Sequence, residues 1–181
     1  MSELRKANTD HAYFLTFTVV GWIDLFTRKE CCDIIINSMK FCQQNKELEI
    51  YAYVIMPSHI HMIARRKNGL MSDLIRDIKS YTAKEIVRFV SEDSRESRKT
   101  GLATQWLLHM FRYHAKYQKQ NKEFQIWQKS NHPIELHSNE VFDQKIEYIH
   151  LNPVTSCIVK EPECYVYSSA NPESPLQTTQ A

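Results

Sequence analysis

The stretch LEIYAYVIMPSHIHMIAR, Leu48 to Arg65, reads as two strands folded about a turn. The first runs from about Leu48 to Met56 in β-branched and aromatic residues. Pro57-Ser58 is a turn signal, and a second strand runs from His59 to Arg65. Successive side chains of a strand point to opposite faces, so His59 and His61 share one face while Ile60, Met62 and Ala64 share the other. One face of this hairpin is apolar and the other carries two imidazoles.

Working outward, Tyr13, Leu15, Phe17 and Val19 alternate with Phe14, Thr16, Thr18 and Val20, the pattern of a first strand with one strongly apolar face. Thr27-Arg28-Lys29-Glu30 has capping-box spacing, and Cys32, Ile35, Ile36, Met39 and Cys42 follow at helical intervals. After the hairpin, Ser72 is placed to cap a helix whose apolar side is Leu74, Ile75, Ile78, Ile86 and Val90. Ser91 to Thr100 reads as a polar loop and Leu102 to about Gln120 as a third helix. Phe124 to Gln128 is strand-like, Pro133-Ile134-Glu135-Leu136 follows, and Ser138 opens a last helix that Pro153 must end or kink. This order predicts an α+β layer in which helices cover one face of an antiparallel sheet and leave the other to the histidines.

With 181 residues the chain suits one domain, spanning 1–181, with an ordered core over about 10–170 and loose polar ends. No apolar run is long enough to span a bilayer and no secretory apolar core follows Met1, so the expected location is cytoplasmic, with no membrane partner. The five cysteines are odd in number and lack a C-x-x-C pair, which argues for free buried thiols over a disulfide framework or zinc ribbon. The net charge of +2 conceals an asymmetry: Arg65 to Lys122 holds 14 Lys and Arg against 6 Asp and Glu, a balance of +8, leaving −6 elsewhere. Such a segment is what a polyanion-binding face requires, and equally what a solvated helical surface provides.

Two histidines at i and i+2 on an open sheet face can grip one ion through neutral imidazole nitrogens, although an H-x-H pair by itself does not establish a metal site. The last helix, Asn139 to Asn152, has a core stripe of Phe142, Ile146 and Ile149, and on another side Lys145, Tyr148 and Asn152. A phenol, an amide and an amine are presented together. The same residues also read as amphipathic packing by Tyr148 and a helix end at Asn152 before Pro153.

The strings V-I-M-P-S-H-I-H (54–61), I-W-Q (126–128), N-H-P-I-E-L (131–136), Y-I-H-L-N-P-V (148–154) and Y-V-Y-S-S-A (165–170) occur in the order seen in REP-associated tyrosine transposases. The chain thus resembles, over roughly residues 10 to 170, that group and the single-tyrosine HUH transposases of small bacterial insertion sequences. The resemblance implies a ferredoxin-like HUH nuclease fold that cleaves and rejoins single-stranded DNA, usually beside a hairpin, through a covalent 5′-phosphotyrosine. It places His59 and His61 as ligands of a divalent cation, Mg²⁺ or Mn²⁺, with Asn152 as third ligand and Tyr148 as nucleophile. Related insertion-sequence enzymes often carry glutamine where Asn152 stands. The implied partner is single-stranded DNA, and a homodimer is open because insertion-sequence relatives share active sites between subunits.

With such a partner, Arg65, Arg66, Lys79, Lys84, Arg112, Lys116, Lys119 and Lys145 become candidates for DNA contact. Two competing readings stand beside this one. Tyr113-His114-Ala115-Lys116-Tyr117 has the Y-x-x-K-Y form of rolling-circle initiators, which would make Tyr113 or Tyr117 the nucleophile, with Tyr81 a weaker candidate. A catalytically silent protein that binds single strands is the other, although no RNA-recognition string is present.

Overall fold

In the computed structural model, which describes residues 11–96, 101–117 and 123–180, the hairpin is β2 (Leu48–Ile55) and β3 (His59–Arg66). Its turn is closed by Met56 N–H donating to His59 O at 2.8 Å. On the far side of β3 lies β1 (Ala12–Thr18), in the register Thr16↔His61 and Phe14↔Ile63, and β4 (Ile134–Leu136) pairs with β1. The sheet order is β2-β3-β1-β4 with every pairing antiparallel, the ferredoxin-like arrangement that the resemblance implies. A register shift between Ile50 and Ala52 leaves Tyr51 as an extra residue in β2, a bulge that re-aims the strand before it reaches the turn.

The apolar face of the sheet, including Leu15, Phe17, Ile60 and Met62, forms one core with α1 (Lys29–Asn45), α2 (Met71–Glu96) and α3 (Gly101–Lys116). Ile35 and Met39, Ile78 and Ile86, and Leu107 and Phe111 are the buried side chains these helices contribute. Each such burial stabilises by about 1.5–3 kcal/mol, which is why the helical periodicity of these residues is decisive. A second, smaller cluster lies on the other face: Phe14, Ala52, Val54, Ile63 and Leu136 with Ile149, flanked by Phe142 and Ile146. The stripe of α4 (Asn139–Thr155) thus lies across the histidine face, covering part of it.

Local chemistry departs from the sequence reading in several places. The Thr27 capping box does not form, because Thr27 Oγ1 donates to Asp24 O at 3.0 Å and Arg28 takes the N-cap position of α1. Ser72 lies inside α2, which starts at Met71. The stretch 124–128 lies beside the end of β1 with a single bridge, Val19 to Trp127. It is held there because the Trp127 indole stacks on Phe26 and its Nε1–H donates to Thr82 Oγ1 at 3.0 Å.

Ser138 does cap α4, accepting from Val141 N–H at 3.3 Å. Pro153 is accommodated within the helix, which closes at left-handed Cys157 (φ 57°) with Cys157 N–H to Val154 O and Ile158 N–H to Pro153 O. Cys31, Cys32 and Cys42 are buried free thiols, whereas Cys157 and Cys164 are exposed, contrary to the expectation for all five. The C-terminal end is also tied down: Leu176 is buried in the larger core and Thr179 N–H donates to Ile50 O at 2.7 Å. Among the described residues no helix is long and apolar enough to cross a membrane.

Candidate active site

The strand register assembles the centre. His61 sits opposite Thr16 of β1, and its Nδ1 lies 2.9 Å from Thr16 Oγ1. Its ring stacks on Phe14 (centroids 5.3 Å apart) and meets the ring of His59 edge-on at 4.7 Å. His59 Nδ1 lies 3.3 Å from Ser58 Oγ. From α4, Tyr148 closes the group with its hydroxyl 3.4 Å from His61 Nε2 and its ring edge-on to Phe14 and His61. The histidine is 7% exposed and the tyrosine 47%, so a buried imidazole faces a phenol open to solvent. With Thr16 at Nδ1, it is Nε2 that faces the tyrosine.

Burial is the main cause that pushes His61 down, to about 3, with His59 and Lys145 adding to the same effect, and burial lowers His59 as well. Both rings are therefore neutral at pH 7, the form that can donate a lone pair to a cation. The sign of the linked stability follows. The unfolded chain takes up a proton at these positions below about pH 6.5 while the folded chain resists it, so stability falls as pH drops through that value toward 3. In EDTA, denaturant midpoints measured between pH 7 and 5.5 are expected to decline. His61→Asn is expected to remove a component approaching about 1.4 kcal/mol per pH unit. Equal slopes for the two proteins would contradict the buried, neutral assignment.

Lys145 belongs to the same group, its Nζ 4.8 Å from the Phe14 ring centroid and 5.6 Å from that of Tyr148. Asn152 lies one helical turn beyond Tyr148, half-buried, with no side-chain hydrogen bond among the described residues.

The other basic candidates divide. Arg65 pairs with Glu49 (Nη2 to Oε2, 2.6 Å), and Arg66 Nη1 donates to Leu70 O at 3.0 Å. Lys79 is turned inward, its Nζ donating to Gln128 O at 2.8 Å and lying over Phe17, and burial pushes its ammonium down to about 8. These three make internal contacts, Lys79 most of all. Lys84, Arg112 and Lys116 are exposed, although Arg112 lies over the Phe124 ring at 4.8 Å and 3.9 Å from Glu123, and Lys119 lies outside the described residues.

Tyr113 and Tyr117 meet each other on α3 (centroids 5.2 Å apart), and Tyr113 also meets His114. Neither makes a ring contact with His59 or His61. Tyr81 is exposed on α2, beside Phe41 of α1. Toward the opposite end of β1, His11, Glu135 and His137 bring ligand atoms within 4.8 Å of one another, a second grouping set by the β1–β4 pairing. Sequence reasoning passed over Thr16 and Trp22 as members of the centre. Thr16 was visible as a polar residue in the alternation of the first strand. Trp22, 61% exposed and edge-on to His59 at 5.5 Å, had no signal beyond being an aromatic in a turn.

A four-stranded ferredoxin-like sheet with two imidazoles and a helix-borne tyrosine on its open side defines a class in which a strand-borne H-x-H pair faces a tyrosine. The chain belongs to the IS200-like transposase family, whose model matches residues 13–106. Among solved structures it is similar to a REP-associated tyrosine transposase bound to a REP hairpin, at 20% identity. That match covers 93% of this chain and 82% of the other with a TM-score of 0.61, a likeness of fold. A candidate transposase from Deinococcus radiodurans R1 aligns at 17% identity over 82% of this chain and 95% of the other, with a TM-score of 0.44. No curated protein matches the chain.

Proposed function

We propose that the chain cleaves and rejoins single-stranded DNA beside a hairpin, with Tyr148 as nucleophile and a divalent cation, Mg²⁺ or Mn²⁺, held by His59, His61 and the amide oxygen of Asn152. The observation that carries this reading is the approach of the Tyr148 hydroxyl to His61 Nε2, 3.4 Å, on an open sheet face. The donor set fits such a cation: two imidazoles kept neutral by burial, one of them held by Thr16 at Nδ1, with the Asn152 amide one helical turn beyond Tyr148.

Tyr148 Oη attacks the phosphorus as its proton leaves to solvent, the P–O3′ bond breaks, and the leaving oxygen takes a proton from solvent, so the strand departs with a 3′-hydroxyl. The 5′ phosphate remains on the tyrosine as a phosphodiester. A 3′-hydroxyl from another strand reverses the step, so the outcome is strand transfer. When bound, a divalent cation supplies polarisation of the phosphate and neutralises charge on the leaving oxygen. Lys145 places an ammonium beside the same phosphate, where it pairs with a non-bridging oxygen. Because Tyr148 and His61 meet within one chain, this reading needs no second subunit to complete the centre.

The test is a hairpin-bearing oligonucleotide incubated with protein and Mn²⁺, then resolved on a denaturing gel. A protein–DNA adduct that EDTA and His61→Ala both abolish is expected. No adduct from the wild-type chain in either metal would favour a silent single-strand binder instead.

Exposed charge gives a separate expectation. Substituting Arg112 and Lys116 by glutamine lowers the slope of log affinity against log salt by about 0.7 for each phosphate contact removed. Lys79→Gln is expected to lower stability and leave that slope unchanged.

A further inference from the structure

We infer that Trp22, with Tyr113 and Tyr117, forms a stacking platform for unpaired nucleobases that leads the DNA strand to and from the histidine pair. This rests on the proposed single-strand chemistry and names how the strand is held. Trp22 follows Gly21 in a turn where both residues are left-handed, φ 64° and 55°. That conformation is strained for a bulky side chain, and here it presents the indole to solvent against His59.

The same turn seats on α3: a Cβ at Gly21 would lie 2.9 Å from His114 Nε2, so a larger residue would have to push that ring aside as well as adopt the left-handed φ of 64°. His114 in turn meets Tyr113 at 5.6 Å, and Tyr113 meets Tyr117. Trp106 and Tyr113 fall on one face of α3 by helical spacing, Tyr117 follows just past its end, and all are exposed, Tyr117 at 70%.

The occupant is single-stranded DNA because the rings come with exposed cations and with the centre. Lys116 and Arg112 flank Tyr113, Arg112 reaching over Phe124 toward Glu123 with its guanidinium still exposed, and Trp22 touches a metal-ligand candidate. Bases stack on exposed aromatics with little sequence preference while cations track the backbone, which is the combination present here. The Y-x-x-K-Y string thereby has a role on the strand path, away from the reacting phosphorus.

The experiment measures binding of a fluorescein-labelled hairpin with an oligo(dT) arm by anisotropy, in EDTA so that no cleavage occurs. Trp22→Ala and the Tyr113→Ala/Tyr117→Ala pair are each expected to weaken binding roughly 5- to 100-fold, the range for loss of one stacked base. Trp22→Phe is expected to recover most of it. Trp22→Gly, which tolerates the left-handed turn, provides a second truncation should the alanine variant fold poorly. A single abasic residue moved along the arm is expected to weaken wild-type binding at one position to which Trp22→Ala is indifferent. Matching affinities and abasic profiles for wild type and the Trp22 variants overturn the inference. So does a dimer in sedimentation that the tyrosine pair of substitutions dissolves without affecting DNA binding. Stacking that persists in a chain forming no adduct with Mn²⁺ would refute the covalent chemistry alone, while a chain that binds no such strand refutes both.

Discussion

Tyr148→Phe is expected to reduce covalent adduct formation on the order of 10⁴-fold or more, while Tyr113→Phe and Tyr117→Phe leave it within a few-fold of wild type. The substitution removes one oxygen. The remaining ring keeps its edge contacts with Phe14 and His61, and the lost hydrogen bond to His61 is long at 3.4 Å and half open to water. Folding stability should therefore change by less than about 1 kcal/mol, and hairpin affinity in EDTA should be nearly unaffected. A phenyl group cannot form the P–O bond, so the chemical step has no substitute within reach: the other exposed phenols of α3 pair with each other and with His114. An adduct that survives in the Tyr148 variant and disappears with Tyr113 or Tyr117 would transfer the nucleophile to α3.

The parts of this centre visible in the sequence are those fixed by short-range periodicity. Alternation in β3 put His59 and His61 on one face, and the spacing of Phe142, Ile146 and Ile149 predicted which side of α4 meets the sheet and which side presents Lys145 and Tyr148. What escaped depends on pairing between distant segments. Thr16 supports His61 only because β1 and β3 align in one register, across 45 residues. Lys79 looks like a surface cation by helix phase, yet its ammonium reaches the carbonyls of Gln128 and Ser130, in a segment whose path is set by the Trp127 indole. The Thr27 motif failed for a local reason of the opposite kind: a tight turn over Leu25–Thr27 offered its hydroxyl a nearer carbonyl than the helix offered amides. Leu176 was hidden in polar sequence, where one apolar residue carries no period.

Ile149→Ala is expected to cost about 2–5 kcal/mol of stability, and more in activity than that loss alone implies. Ile149 is fully buried in the smaller cluster, which also holds Phe14, Val54 and Ile63 of the sheet. Tyr148 is the preceding residue on the same helix, and Phe14 touches both His61 and the tyrosine. Loosening α4 therefore moves the phenol against the imidazole, and a misplacement on the order of 1 Å costs roughly 10²-fold in rate. Leu151, exposed on the same helix, is the control: its alanine variant should stay within about 0.5 kcal/mol of wild type and keep its activity. Urea midpoints together with single-turnover adduct rates, taken where both variants remain folded, separate the two effects. An Ile149→Ala chain with a lowered midpoint but a wild-type adduct rate would mean that α4 is positioned by its capped ends and not by this side chain.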